Sequence, residues 1–395
     1  MRILIFPGYF LPHVGGLETH VDEFVKYLSK DKKYRITIFV PNIPFSKEKE
    51  IIHNNVKVIR YPAFELISNW PLPKFWSLKF WKLFFGLYSK DYDIVMTRTR
   101  FFTNSFVGLF FAKFRLKRIK LIHVEHGSDF VKLESKFKSY LSYIYDKIFG
   151  KLIFKCADKN IAISKAVYNF VCKNFVNCKK EKVPIIRRGV DFEIYNNIKS
   201  NKEIKQKFKN KIVICFLGRL YKWKGVSNSI KAYKELLKYI KENVVFLVVG
   251  YGEDEDRLKK LAGKDLDNGI YFLGKKDFKE AISILKSSDI YVHSAYPGGG
   301  LSNSLLQAMY CGCSVVASPN EGANEVVFDS FNGVLLKNNS PKLLKEGIEK
   351  LIKNEGLRKK YSKNASDYIK QNFSWEKVIN DYEKVFSEVL GDGEN

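Results

Sequence analysis

The chain has 395 residues, 46% of them hydrophobic, with 68 Lys+Arg against 42 Asp+Glu and a formal net charge of +26. That apolar content excludes a disordered chain, and the length exceeds what one core usually serves, so two domains are expected. The charge suits an anionic partner such as nucleic acid, an acidic membrane face or a phosphate-bearing substrate, while no apolar run reaches the ~18 residues of a membrane span.

Residues 1–6 are too short for the core of a signal peptide and read as a buried first strand ending at Pro7-Gly8. A loop with Gly15 and Gly16 follows, then a helix over 17–28 with Val21, Phe24, Val25 and Leu28 at helical spacing. Strand, glycine loop and helix together let a phosphate approach the backbone at Gly15 and Gly16. Further strands are expected at 35–41 and 56–62.

Residues 69–88 interleave Trp70, Phe75, Trp76, Phe80, Trp81, Phe84 and Phe85 with Lys74, Lys79 and Lys82. On a helix from Phe75 this is either a surface that lies on an anionic membrane or a helix packed on a sheet with snorkelling lysines. Periodicity does not separate the two.

Residues 93–98 read as a strand, 101–114 as its supporting helix, and 120–128 as a strand ending at a glycine turn. His123 and His126 form H-x-x-H, but a strand sends them to opposite faces and no third ligand is near in sequence, so no metal is expected. His126, just before Gly127 at the carboxyl end of its strand, stands where ligands of α/β sheets bind. Residues 157–171 fit a strand and then a helix from about Ser164. Residues 196–211 are polar and lysine-rich, which places the domain boundary near there.

The second half begins its own alternation with a strand at 212–217, then Gly218-Arg219-Leu220, Lys224-Gly225 and a helix over 227–239. Arg219 and Lys224, just beyond a strand end, can clamp a diphosphate, one through a planar fork and the other as a point charge. The strand at 244–249 ends in Gly250-x-Gly252. The third glycine of a dinucleotide fingerprint is absent and acidic residues 253–256 follow, so a nicotinamide cofactor is excluded.

From His293 to Glu325 the pattern is strand, glycine loop (Gly298-Gly299-Gly300), short helix over 305–310, Gly312 and a second apolar strand. Ser302 or Asn303 is placed to N-cap the helix. Leu305 and Met309 share a core-like face; Asn303 and Gln307 share another. A glycine loop opening onto a helix N-terminus is a seat for phosphate. Helices are expected over 341–371 and 373–390. Cys156, Cys172, Cys178, Cys215, Cys311 and Cys313 contain no CxxC pair, which predicts a reduced cytoplasmic chain rather than a disulfide framework. There is no Walker A pattern, zinc spacing or nucleic-acid module.

Several of these segments together resemble the group-1 glycosyltransferases, which transfer sugars with retention. Gly300, Asn303, Leu305, Leu306, Ala308, Met309, Gly312, Val315 and Val316 fall on that family's signature segment, and Gly15-Gly16, His126, Arg219 and Lys224 on further motifs. Gly299 and Gln307 stand where the family carries glutamates, and Arg188 where it normally has asparagine.

The resemblance implies two doubly wound Rossmann-like α/β domains facing across a cleft, the GT-B type. Residues 1–190 would bind the acceptor, 191–372 the nucleotide-sugar donor, and a helix in 373–395 would cross back to the first domain. His126, Arg219 and Lys224 would be catalytic. Gly15, Gly16, Gly250, Lys275, Gly299, Gly300, Leu301, Ser302, Asn303 and Gln307 would bind the donor. No cofactor or metal and no nucleic-acid partner is implied. The charge and residues 69–88 favour a lipid-linked acceptor and a peripheral position on the inner face of a membrane. Loss of both glutamates leaves a non-catalytic protein that binds sugar nucleotides or membranes as the alternative.

Overall fold

The computed structural model describes residues 1–13, 15–53, 55–67, 70–115, 118–131, 136–240, 243–296, 301–320 and 322–391. The chain divides into two compact units, Met1–Val190 with Trp375–Asn395, and Asp191–Ser374.

The first unit is built on β1 (Arg2–Phe6), β2 (Arg35–Pro41), β3 (Lys49–Ile52), β4 (Val56–Tyr61), a hairpin of β5 (Ala63–Ile67) and β6 (Trp70–Pro73), then β7 (Ile94–Arg98), β8 (Lys120–Glu125) and β9 (Lys159–Ala162). Seven of these form one sheet in the order β3-β4-β2-β1-β7-β8-β9. All neighbours run parallel except β3, which is antiparallel to β4. Parallel strands buried on both faces need unbroken apolar runs, and β1 supplies one. Ile3 and Ile5 join the core formed with Val21, Phe24, Val25 and Leu28. Leu4 and Phe6 face the opposite core, with Phe39, Tyr61, Phe80, Phe84 and Phe111.

The helix Gly16–Leu28 covers the first face. The helix Trp375–Leu390 packs beside it through Trp375, Val378, Tyr382, Val385 and Phe386. Tyr27 stacks on Trp375 at 5.4 Å and Phe24 meets Tyr382 at 4.7 Å.

Residues 69–88 do not form the single helix expected from Phe75. Trp70–Pro73 pairs as β6, and the helix is only Leu78–Phe85. The prolines at 71 and 73 suit the hairpin strand, and the helix starts three residues later than expected because a turn, with the Ser77 N–H donating to the Lys74 carbonyl at 2.8 Å, precedes its N-cap Ser77. The two readings of this stretch divide residue by residue. Phe80, Leu83 and Phe84 are buried on the sheet, whereas Phe75, Trp76, Leu78 and Phe85 are 45%, 71%, 88% and 57% exposed.

The expectation of reduced cysteines needs one correction: Cys172 and Cys178 are joined by a disulfide, with Cα atoms 5.3 Å apart. The helix Lys165–Asn174 ends between them and the chain turns back, which brings two cysteines six positions apart within bridging reach. Cys156, Cys215, Cys311 and Cys313 are free.

The second unit carries β10 (Ile212–Leu217), β11 (Val244–Val249), β12 (Ile270–Gly274), β13 (Ile290–His293), β14 (Ser314–Ala317) and β15 (Val334–Leu335). Their order is β12-β11-β10-β13-β14-β15, all parallel. The chain builds outward from β10 to β12, then returns to pair β13 on the other side of β10. That reversal is the switch point at which open α/β sheets bind ligands beyond their carboxyl ends.

Candidate active site

The predicted donor-side residues of the second unit lie along the carboxyl ends of its strands: Lys275 after β12, Gly250 after β11, Arg219 after β10, and Leu301, Ser302 and Asn303 after β13. Gly299 and Gly300 fall outside the described residues. The two glycines after β11 serve close backbone packing. A Cβ on Gly250, whose φ is +140°, would stand 1.8 Å from the Gly218 carbonyl oxygen, and one on Gly252 would stand 2.5 Å from that of Leu220. The near-fingerprint is therefore what lets the loops after β10 and β11 lie against each other.

Those loops and the one after β12 gather cations around one ring. The Arg219 guanidinium lies 4.7 Å from the centroid of Tyr251, and Lys275 Nζ lies 5.2 Å from it. Arg219 Nη1 also donates to the Tyr221 hydroxyl at 3.2 Å. Lys224 closes a short 3-10 turn, Lys222–Lys224, and its carbonyl accepts a bond from Ser294 Oγ at 3.0 Å. Its Nζ lies 4.2 Å from the Trp223 centroid, and burial pulls its pKa down. Among the described residues none of Arg219, Lys224 and Lys275 forms an ion pair. A cation without a carboxylate partner keeps its charge for an anionic ligand.

The helix at this edge is Asn303–Tyr310, two residues longer than expected, with Ser302 as N-cap. The Ser302 side chain makes no capping bond; its Oγ lies 3.0 Å from Ser304 Oγ, which also accepts from the Tyr291 hydroxyl at 2.9 Å. The first N–H groups of that helix therefore lack a side-chain cap. Leu305 and Met309 are fully buried, Asn303 is exposed and Gln307 half-buried. Beneath this edge His293 is buried, 2.9 Å from Asn320 Nδ2, and burial followed by the charge of Lys224 pushes it down to about 3.

In the first unit, Gly15 caps and Gly16 opens the first helix. The seat is already shared. Glu18 in the first turn is buried, its Oε1 lies 3.0 Å from His13 Nδ1, and its Oε2 lies over Gly15, 2.4 Å from where a Cβ would be.

His126 follows β8. Its Nε2 lies 3.0 Å from His20 Nδ1 and its Nδ1 lies 3.3 Å from Thr99 Oγ1. Burial, then the charge of Arg98, pushes it down to about 3. The backbone N–H groups of His126 and Gly127 both donate to Glu125 Oε1, at 2.9 and 2.6 Å. His123 points away, buried between Thr97 Oγ1 at 2.9 Å and Glu125 Oε2 at 3.2 Å. Among the described residues no group of three His, Cys, Asp or Glu side chains is placed to hold a metal ion.

Two family profiles divide the chain: "Glycosyltransferase Family 4" over residues 14–194 and "Glycosyl transferases group 1" over 197–368. A glycosyltransferase of Methanocaldococcus jannaschii, itself uncharacterised, is 62% identical over 390 residues, 99% of each chain. The chain is a group-1 glycosyltransferase.

More distant relatives of this glycosyltransferase include the N,N'-diacetylbacillosaminyl-diphospho-undecaprenol alpha-1,3-N-acetylgalactosaminyltransferase of Campylobacter jejuni, 26% identical over 96% of this chain and 99% of that one. The crystal structure of Anabaena HepE in complex with UDP-glucose superposes with a TM-score of 0.70, at 20% identity, over 98% of this chain and 100% of that one. The fold is the expected α/β, GT-B type. Among the described residues no helix is long and apolar enough to cross a membrane.

Sequence reasoning missed Tyr251, His20, Arg98, Glu125 and the His293–Asn320 pair. Tyr251 was within reach of it, as the residue between the two glycines. Glu125 stands next to His126 but shows its role only through Arg100, 25 positions earlier, and the others are joined across separations of up to 106 positions, for His20 and His126, which no local pattern reveals.

Proposed function

We propose that this glycosyltransferase moves a sugar from a nucleoside diphosphate sugar to an acceptor hydroxyl with retention and without a metal ion. The observation that carries the reading is the set of three cations without ion pairs, Arg219, Lys224 and Lys275, on the sheet edge that also presents the N-terminus of Asn303–Tyr310. Breaking the anomeric bond leaves negative charge on the diphosphate. Preorganised cations and free helix N–H groups stabilise that charge where it develops. The departing phosphate takes the acceptor's proton on the face it leaves, so retention needs no protein nucleophile. Gln307 replaces charge-assisted bonding to a ribose hydroxyl with an amide contact, and His126 is assigned a hydrogen bond to the donor sugar.

HepE binds UDP-glucose, which supports a uridine nucleotide as the first donor class to test. The Campylobacter relative's named acceptor is a polyprenyl diphosphate sugar. That name, the +26 charge and the exposed Trp76, Leu78 and Phe85 support a lipid-linked acceptor met at a membrane surface. A thermal-shift screen against UDP-, GDP- and ADP-sugars without metal tests the donor side. One series should raise the transition, and Arg219→Ala/Lys224→Ala should abolish that shift. An unchanged shift in the double variant overturns the assignment. Donor binding with no turnover across acceptors would mark a non-catalytic binder.

A further inference from the structure

The unit that carries His126 also buries a cation that no carboxylate among the described residues balances. Arg98, the last residue of β7, is 0% exposed, and its three side-chain nitrogens find no hydrogen-bond partner among the described residues. Its guanidinium carbon lies 4.6 Å from the Phe24 ring centroid and 5.8 Å from that of Tyr382; burial lowers its pKa and Tyr382 opposes that. Aromatic faces stabilise the charge but do not cancel it. A guanidinium keeps its proton inside a protein, so the charge is permanent. Arg100, two positions on, contrasts with it, because Glu125 and Asp146 balance that side chain.

Arg98 packs on Phe24, one helical turn from His20 in Gly16–Leu28, and precedes Thr99, whose Oγ1 lies 3.3 Å from His126 Nδ1, so its charge faces the paired imidazoles. Burial, then His126, Arg98 and Arg188, lower His20. Burial and Arg98, with His123, lower His126, opposed by Glu125. Glu125 is already committed to Arg100, His123 and the two backbone N–H groups, and Arg188 is paired with Glu23 at 3.0 Å. Arg98 is left as the unbalanced charge among the groups facing the pair.

Hydrogen-bond arithmetic then limits the protons. His20 Nδ1 and His126 Nε2, 3.0 Å apart, share one proton. His20 Nε2 is buried and has no partner among the described residues. If His126 Nε2 carried the shared proton, neutral His20 would hold an N–H at that unpartnered position, against a nearby cation. If His20 Nδ1 carries it, the Nε2 position is a lone pair, which a cation favours. His126 then bears its own proton on Nδ1, aimed at Thr99 Oγ1, 3.3 Å away. Thr99 holds that oxygen with φ at +66°, a left-handed conformation that is costly for a β-branched residue.

We propose that Arg98 is a positioning residue: acting on His20, it locks His126 as a neutral ring protonated on Nδ1, a standing donor toward Thr99 Oγ1 or a ligand oxygen that takes its place. Its value for catalysis rests on the reading of His126 as a donor-sugar contact.

Selective 15N labelling of the imidazoles tests the lock directly. In the parent, His126 should show a protonated Nδ1 and a bare Nε2, with no titration from about pH 5 to about pH 8. Protonation on Nε2, or a midpoint near the ordinary value of about 6.5, would overturn the proposal. Arg98→Met should raise the pH at which His126 titrates, with burial still holding it below the ordinary value, and Arg98→Lys should restore the parent pattern. An unchanged His126 spectrum in a folded Arg98→Met variant removes Arg98 from the account. If that variant does not fold, the parent spectrum alone still decides the tautomer. His126→Ala separates the two readings: if it binds and turns over UDP-glucose like the parent, the donor-contact reading fails while the tautomer result stands.

Discussion

Arg100 Nη1 lies 3.0 Å from Glu125 Oε1, with the two side chains 1% and 0% exposed, and Asp146 takes Nη2 of the same guanidinium at 2.9 Å. Asp146 opens a π-helical turn, Asp146–Gly150, and Glu125 ends β8. One arginine therefore ties the loop bearing His126 and Gly127 to a distant helix. Burial alone would raise Glu125, but Arg100, His123 and the Gly127 N–H hold it well below the ordinary carboxylate range. Burial outweighs Arg100 at Asp146, pushing it up to about 6. Removing one partner of a buried pair leaves an uncompensated charge, at about 3–5 kcal/mol. Glu125→Ala should lose stability of that order in urea unfolding, and Asp146→Asn clearly less. Equal losses would show that the pair is not the anchor.

Gly225 and Gly274 separate backbone conformation from close contact. Both have left-handed φ, +68° and +67°. A Cβ on Gly225 would stand 2.0 Å from the Ser294 carbonyl oxygen, whereas one on Gly274 meets nothing within 4 Å. Gly274→Ala should cost about 1–2 kcal/mol, the left-handed penalty alone. Gly225→Ala should cost more and weaken nucleotide-sugar binding, because it displaces the turn that carries Lys224. Similar unfolding midpoints for the two would contradict this.

Acid should destabilise the protein from near neutrality. His126 and His293 are pushed down to about 3 and His20 well below its ordinary value, in each case chiefly by burial. Unfolded histidine titrates at about 6.5, so from there downward the unfolded chain binds more protons. Each group then withdraws up to about 1.4 kcal/mol per pH unit. Asp146 acts the other way between about 6 and its ordinary value of 3.8, where the folded form binds the extra proton. Three groups against one predict a net loss as pH falls below about 6.5. Denaturation midpoints that stay level from pH 7 to about pH 5 would contradict this balance.

The segment 76–85 should divide into two functions. Phe84→Ala, in the core, should cost about 3–5 kcal/mol. Trp76→Ser with Leu78→Ser, at 71% and 88% exposure, should leave stability nearly unchanged and reduce pelleting with anionic vesicles at low salt. Full pelleting of the double variant would remove this surface as the membrane contact.

Much of the fold was legible because burial on both sides of a parallel sheet imposes unbroken apolar runs. The strands expected at 35–41 and 212–217 are β2 and β10 with unchanged ends, and the helix expected at 17–28 begins one residue earlier. At 69–88 the helix expected from Phe75 starts at Leu78 behind its N-cap Ser77, because aromatic periodicity does not mark the turn that precedes it. At Gly250-x-Gly252 a fingerprint fragment was legible but its cause was not, because the carbonyls that exclude a Cβ belong to residues some thirty positions earlier.

The sequence by itself determined the alternation of strand and helix, the glycine loops at the strand ends, and the cations beside them. These follow from local rules of burial, backbone freedom and charge that act within a few residues. Only the tertiary structure decided that Arg219 and Lys275 share the ring of Tyr251, that Arg98 is buried without a counter-charge, and that His126 meets His20. Each depends on which strands become neighbours, and that follows from packing whole faces against each other rather than from the order of residues in any one segment.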